Sequence, residues 1–232
     1  MLFIAPTLLI LSSAILHAAS YGETLSFLET AITFAIFIGI LCGILSAIRE
    51  NSKTDRFFTL SSLVALSTPT FWSGLLLMMF FSVRMGWVPA GGMGGFKSYI
   101  LPAVTLGLPA SAVIIRMVRT SLLEVLHENY IRTAKAKGLS PFRVILRHAL
   151  KNALIPTVTI IGLQFGWLLG GTVVVETVFS WPGMGQLIIT GILGRDYPMV
   201  QGAIIVLAFA FICINLFVDI LYTYLDPRIQ YE

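Results

Sequence analysis

The stretch IRTAKAKGLSPFRVILRHALKNALIP, residues 131–156, decides how this chain folds. It is a basic island without any acid, in a chain of 232 residues of which 57% are hydrophobic and 11% are charged. A water-soluble domain usually carries about 25% charged residues, so a soluble globule is excluded. Apolar runs long enough to cross a bilayer recur along the sequence. They predict a polytopic integral membrane protein.

Six apolar segments account for most of the chain. They cover residues 2–19, 25–48, 58–83, 100–118, 154–179 and 200–225. Each is close to the roughly 20 residues that an α-helix needs to cross the hydrocarbon core. The first lacks a basic leader, which makes it a poor signal peptide and either a shortened span or the remnant of a longer N-terminus. The sequence therefore predicts an all-α membrane protein with about five to six transmembrane helices.

The distribution of lysine and arginine sets the orientation of these spans. Twelve of the fifteen basic residues fall at or after the ends of the second, fourth and sixth segments, and the alternate connections hold only Arg84, Lys97 and Arg195. Cytoplasmic connections carry the excess of Lys and Arg, so the basic island and, with six spans, both termini are predicted to be cytoplasmic. This topological cause of the positive charge argues against a nucleic-acid partner.

The predicted outer connections differ in character. Residues 86–99 (GWVPAGGMGGFKSY) are rich in glycine and proline, which predicts a loop. Residues 180–199 are longer, and the PGMG turn followed by apolar residues predicts a short helix there.

The basic island reads as two helices joined by an elbow. A period of four places one apolar face before the turn, formed by Leu122, Leu126, Tyr130 and Ala134. Gly138 suits the left-handed conformation of a helix C′ position. Ser140 can cap the next helix, and Pro141 is favoured at its first position.

The second helix of the elbow is predicted over residues 141–152 with two faces. The apolar face holds Phe142, Ile145, Ala149 and Ala153, and the basic face holds Arg143, Arg147 and Lys151. Such a helix can lie on anionic lipid or can dock a cytoplasmic protein. Docking is favoured by the small residues Thr133, Ala134 and Ala136, because small side chains let a partner approach the backbone.

Catalytic chemistry is not indicated anywhere in the sequence. No GxxxxGK[ST] phosphate loop and no GxSxG motif occur, and His127-Glu128 fails as HExxH because position 131 is Ile. We therefore predict no catalytic and no metal-binding residue, and an intramembrane protease is weakly supported. Polar residues at membrane depth usually face a cavity or a partner. The candidate pathway-lining residues are Glu176, Gln164 and Asp219; Glu29, a further acid, is expected near the outer end of its span.

The motifs together resemble a known family. The stretch NYIRTAKAKGLSPFRVILRHALKNALIP is similar to the cytoplasmic EAA loop of binding-protein-dependent ABC importer permeases, especially the oligopeptide/dipeptide/nickel branch. Arg132-Thr133-Ala134 stands at the EAA positions and Gly138 at the glycine of that loop. Further likenesses lie at Ser67–Gly74, Gly86–Gly92, Val178–Gly185, Arg195–Pro198 and Leu225–Ile229.

This resemblance implies a type I ABC importer permease fold, with a transmembrane permease domain over residues 24–232 and an atypical or shortened N-terminal segment over 1–23. It implies an ATPase-coupling loop at about 120–156. The implied coupling residues are Arg132, Thr133, Ala134, Lys135, Ala136, Lys137, Gly138, Leu139, Ser140 and Pro141.

The resemblance also implies the surroundings of the chain. The partners would be a second homologous permease subunit, two cytoplasmic ABC ATPase subunits and an extracytoplasmic substrate-binding protein, all at the inner membrane. The chain would bind no cofactor itself, because ATP and Mg would be held by the ATPase subunits. The implied cargo is di- or oligopeptides, with nickel or a metal chelate as the alternative. An ATP-independent secondary carrier is the competing class of function.

Overall fold

A computed structural model describes the backbone of residues 18–225 and the side chains of residues 22–216, Val218 and Ile220. Every regular element in this part of the chain is a helix, which confirms the predicted all-α fold. The helices are α1 (Ala18–Ile48), α2 (Lys53–Ser67), α3 (Thr70–Arg84), α4 (Phe96–Leu126), α5 (Asn129–Ala136), α6 (Pro141–Val178), α7 (Met184–Leu193) and α8 (Tyr197–Leu225).

Four of these helices are long and apolar enough to cross a membrane. The candidate spans are Gly22–Ile48, Phe96–Leu126, Pro141–Val178 and Tyr197–Leu216, and α2 with α3 adds a fifth if the pair counts as one broken span. The polytopic fold is thereby confirmed for the described residues. The first predicted segment, residues 2–19, and the C-terminal motif from Asp226 onward lie outside them.

The third predicted segment is not one continuous helix. The apolar run over residues 58–83 is divided between two helices bent by 109°, because α2 ends at Ser67 and α3 begins at Thr70. Pro69, at the start of α3, has extended backbone angles of φ −58° and ψ 133°. Proline donates no hydrogen bond and disfavours the helical conformation in the preceding residue, so the helix breaks there.

The outer connections follow the sequence in part. Residues 184–193 form the short helix α7, as predicted. The loop predicted over 86–99 ends earlier, because α4 already begins at Phe96.

The chain divides into two compact units. The first groups the described residues up to Phe34 with Thr68–Gly107 and Phe165–Leu216. The second groups Ala35–Ser67 and Leu108–Gln164 with the described residues from Phe217 onward.

Within the second unit, α1 packs against α4 through two glycines four residues apart. A Cβ atom built on Gly43 would lie 2.7 Å from Cβ of Val118, and one built on Gly39 would lie 2.6 Å from Cβ of Ile114. Both distances are shorter than a van der Waals contact. Small residues at this spacing let two membrane helices approach closely, where dispersion forces between them are strongest.

We expect Gly43→Ala to destabilise the protein by about 1–3 kcal/mol, because the added methyl group overpacks the contact with Val118. Gly22→Ala in the same helix is the control, since a Cβ there meets nothing within 4 Å. Alanine is intrinsically the better helix former, so the control is expected to gain up to about 1 kcal/mol. Thermal unfolding in detergent checks both variants. A rise in melting temperature for Gly43→Ala would contradict the close packing.

Candidate functional site

The elbow between α5 and α6 is closed by backbone hydrogen bonds. Gly138 has φ +79°, the left-handed conformation that glycine adopts without strain. Its N–H donates to the carbonyl of Lys135 at 3.0 Å, and the N–H of Leu139 donates to the carbonyl of Ala134 at 3.4 Å. This pair of bonds is a Schellman motif, which confirms Gly138 as the residue that ends the first helix.

The restart of the helix after Gly138 is only partly as predicted. Pro141 does occupy the first turn of α6. Ser140 makes no side-chain capping hydrogen bond, so that part of the prediction is wrong. Ser140 acts through its backbone, because its carbonyl accepts the N–H of Val144 at 3.0 Å.

The two arms of the elbow rest on a common apolar cluster, here called the elbow core. Its buried members are Ala47, Leu122, Ile131, Ala134, Val144, Ala149 and Ala153. Leu139, which follows the turn, packs against the same cluster. The elbow is therefore held from both sides of Gly138 and is anchored on α1 and α4.

The first arm is shorter than the sequence suggested. The helix is interrupted, because α4 ends at Leu126 and α5 begins at Asn129, but Leu122, Leu126 and Ala134 share the elbow core as predicted. Glu128 lies between them with extended angles of φ −67° and ψ 148°. Tyr130 was expected on the apolar face, but it is 42% exposed. Ile131 takes the buried position instead.

The second arm contains a π-helical segment, Val144–Ala149, directly after its first residues Pro141–Arg143. The N–H of Leu150 donates to the carbonyl of Ile145, five residues back. Because a π-helix advances more slowly than an α-helix, Val144 and Ala149 both face the elbow core. Of the predicted apolar face, Ala149 and Ala153 are buried as expected, whereas Phe142 is 73% exposed.

The ten implied coupling residues fall into two groups. Ala134 is buried and Leu139 is half-buried, so these two anchor the elbow. The exposed members are Arg132, Thr133, Lys135, Ala136, Lys137, Gly138, Ser140 and Pro141, here called the elbow surface. A Cβ built on Gly138 meets nothing within 4 Å, so the outer side of the turn is open.

A second polar arrangement lies in the first unit, at the start of α7. An α-helix leaves its first amide groups without intrahelical acceptors. In α7 the N–H of Met184 donates to Oγ1 of Thr24 at 2.8 Å, and the N–H groups of Gly185 and Gln186 donate to Oε2 of Glu176 at 2.6 and 3.1 Å. The hydroxyl of Thr24 donates to Oε1 of Glu176 at 2.7 Å. Glu176, at the end of α6, and Thr24, in the distant α1, thus cap α7 together.

This capping arrangement explains the glycines of the PGMG turn. The carboxylate of Glu176 occupies the place that a side chain on Gly183 would need. A side chain on Gly185 would collide with the backbone of Val173. The sequence offered the glycines as a signal, but it did not indicate which carboxylate lies against them.

Two of the three candidate pathway residues have described side chains, and both lie on α6. Glu176 is fully buried with both oxygens bonded, and Gln164 is half-buried in α6. Asp219 belongs to α8, and its side chain lies outside the described residues. Their part in a pathway stays a prediction. Among the described side chains, no three of His, Cys, Asp or Glu meet as metal ligands.

Comparison with known families covers the elbow and the end of α6 with α7. Residues 39–231 match the family described as binding-protein-dependent transport system inner membrane component. This chain belongs to that family. It is a permease subunit of an ABC importer and a multi-pass inner membrane protein.

Curated relatives of this permease include permease proteins of glutathione transport systems. The glutathione transport system permease protein GsiC of Escherichia coli K12 is 44% identical over 215 residues, which are 93% of this chain and 70% of GsiC. GsiC of Salmonella paratyphi A matches with the same identity and coverage.

Solved structures share the fold of this permease. An inward-facing form of the MetNI methionine ABC transporter superposes with a TM-score of 0.77 at 21% identity, over 90% of this chain and 95% of its own. An amino acid ABC transporter with histidines gives 0.67 at 16% identity, over 94% and 96%. The predicted type I importer permease fold is confirmed.

Proposed function

We propose that this permease subunit carries short peptides of the glutathione class into the cytoplasm. The observation that carries the proposal is the 44% identity to GsiC, which extends over 93% of this chain. Glutathione is a tripeptide, so this cargo lies within the di- and oligopeptide class that the family resemblance implies. Nickel or a metal chelate is the alternative cargo, and the experiment below decides between them.

The proposal includes the partners of the complex. A second homologous permease would complete the pathway, and an extracytoplasmic binding protein would deliver the peptide. Two cytoplasmic ATPase subunits would bind the ATP and Mg. The positive-inside distribution of twelve basic residues supports a cytoplasmic position for the elbow, where those ATPases are.

The elbow surface is the proposed contact for an ATPase subunit. Its exposed side chains and the open turn at Gly138 leave room for a partner to reach the backbone. The elbow core supports this surface from below, on α1 and α4. A displacement of the elbow by the closing ATPases would therefore act on packed helices and not on a loose loop. Such packed elements with two arrangements are what coupling between distant sites requires.

The cargo is tested on the complex purified through this chain with its copurifying subunits. The copurified binding protein is titrated with glutathione, with an unmodified tripeptide and with a nickel chelate. The whole complex, in proteoliposomes, is then assayed for ATP-dependent uptake of each. We expect saturable glutathione uptake that the tripeptide competes with.

Two results would overturn this function. Uptake of the nickel chelate without glutathione uptake would replace the cargo class. Glutathione uptake that persists after the ATPase subunits are inactivated would indicate a secondary carrier.

A further inference from the structure

A buried ion pair lies at the corner between α1 and α2 in the second unit. The carboxylate of Asp55 accepts hydrogen bonds from Nε and Nη2 of Arg119 at 2.6 and 2.9 Å. The hydroxyl of Ser46 donates to Oδ1 at 2.6 Å, and the N–H of Asn51 donates to Oδ2 at 2.9 Å. Each carboxylate oxygen thus accepts two hydrogen bonds, so the buried charge is fully compensated.

The geometry of this pair fixes the position of Asp55 relative to Arg119. A bidentate arginine–carboxylate contact fixes distance and angle together, unlike a single-contact pair. The Asp55 side chain is only 5% exposed, whereas Arg119 is 27% exposed. Removing the arginine alone would leave a charge without compensation in a buried place, which is costly. The pair therefore holds three helices in one arrangement, because Ser46 lies on α1, Asp55 on α2 and Arg119 on α4.

The ion pair adjoins the elbow core along both helices that carry the core. On α1, Ser46 precedes Ala47, which is a buried member of the core. On α4, Arg119 lies one turn before Leu122, another buried member. The corner and the elbow thus share the same two supporting helices over consecutive turns.

We propose that Asp55 and Arg119 are positioning residues for coupling. They lock α1, α2 and α4 into one platform under the elbow, so that displacement of the elbow moves the platform as a body. This inference rests on the proposed role of the elbow as the ATPase contact. Without the lock, ATP hydrolysis continues, but part of the motion is absorbed between α1 and α4 and less cargo moves per ATP.

The test measures ATP hydrolysed per glutathione imported by the purified complex in proteoliposomes. Asp55→Asn is expected to raise this ratio about fivefold, within the range by which residues between coupled sites change coupling. Ser46→Ala removes one hydrogen bond and keeps the ion pair, so a smaller increase of about twofold is expected. The double variant Asp55→Asn with Arg119→Gln removes both charges and is expected to recover part of the loss.

Arg56→Gln is the control, because Arg56 is an exposed charge on the same helix as Asp55. Its ratio should equal that of the wild type. The inference is overturned if hydrolysis and import fall in equal proportion in Asp55→Asn, since a merely structural defect lowers both. If Asp55→Asn does not assemble, Ser46→Ala decides, and an unchanged ratio overturns the inference. A wild-type complex without ATP-dependent import contradicts the proposed function itself, which is a separate result.

Discussion

Glu176→Ala is expected to destabilise the permease strongly, so that most of the folded protein is lost. The change takes the acceptor from the amides of Gly185, which is buried, and Gln186, which is half-buried. A buried donor left unsatisfied costs roughly 1–3 kcal/mol, so the two amides together account for at most about 2–6 kcal/mol. That is a large part of the roughly 5–15 kcal/mol by which a typical protein is stable. Thermal unfolding in detergent and the yield of monodisperse protein measure the loss.

The matched control is Glu29→Ala, because Glu29 is an exposed acid on α1. Its effect should stay within about 0.5 kcal/mol, as for most surface substitutions. Glu176→Gln keeps a single carbonyl oxygen as acceptor and should lie between the wild type and the alanine variant. Equal stability of Glu176→Ala and Glu29→Ala would show that the carboxylate does not hold α7.

Gly138→Val is expected to lower ATP-dependent import at least tenfold and leave membrane insertion intact. Valine in the left-handed conformation costs about 1–2 kcal/mol, and its side chain fills the open outer side of the turn. The turn is exposed and the elbow core is not touched, so the loss of stability should stay within that strain of about 1–2 kcal/mol. Uptake into proteoliposomes and the amount of inserted protein are measured on the same preparation.

Two controls separate backbone strain from blocked contact. Gly95→Val places valine at φ +92°, also with open space, but outside the elbow, and its import should stay close to wild type. Gly138→Asn keeps the turn, because asparagine tolerates the left-handed conformation, but it adds a side chain to the elbow surface. Loss of import in Gly138→Asn indicates that a partner approaches the glycine. Wild-type import by Gly138→Val would contradict the docking role altogether.

Local signals in the sequence predicted the elbow well. Gly138 and Pro141 act through the backbone angles of their own residues, so their roles are readable without knowledge of the fold. The break before α3 had a signal of the same kind in Pro69, but the apolar run on both sides hid it. The predicted faces of the elbow helices were wrong at Tyr130 and at Phe142, close to where the chain departs from the α-helical period at Glu128 and in Val144–Ala149.

The polar arrangements were out of reach for the opposite reason. Glu176 meets Thr24 across 152 positions of sequence, and Arg119 meets Asp55 across 64. No local sequence pattern around either partner indicates the other, because only the packing of the helices brings them together. A carboxylate in an apolar run signals that a partner exists, but it does not say whether the partner is an amide, a cation or a cargo.

The π-helical segment of α6 lies between the part of the helix that belongs to the elbow and the part that forms the membrane span. The orientation of the side chains before Val144 is set by the turn at Gly138. The orientation of those after Ala149 is set by the membrane span. Each π-helical hydrogen bond encloses one residue more than an α-helical one. The segment therefore rotates one half of the helix about its axis relative to the other half. Substitutions can therefore retune the elbow surface without altering which residues of the span face its neighbours, and only a change of length would disturb both at once.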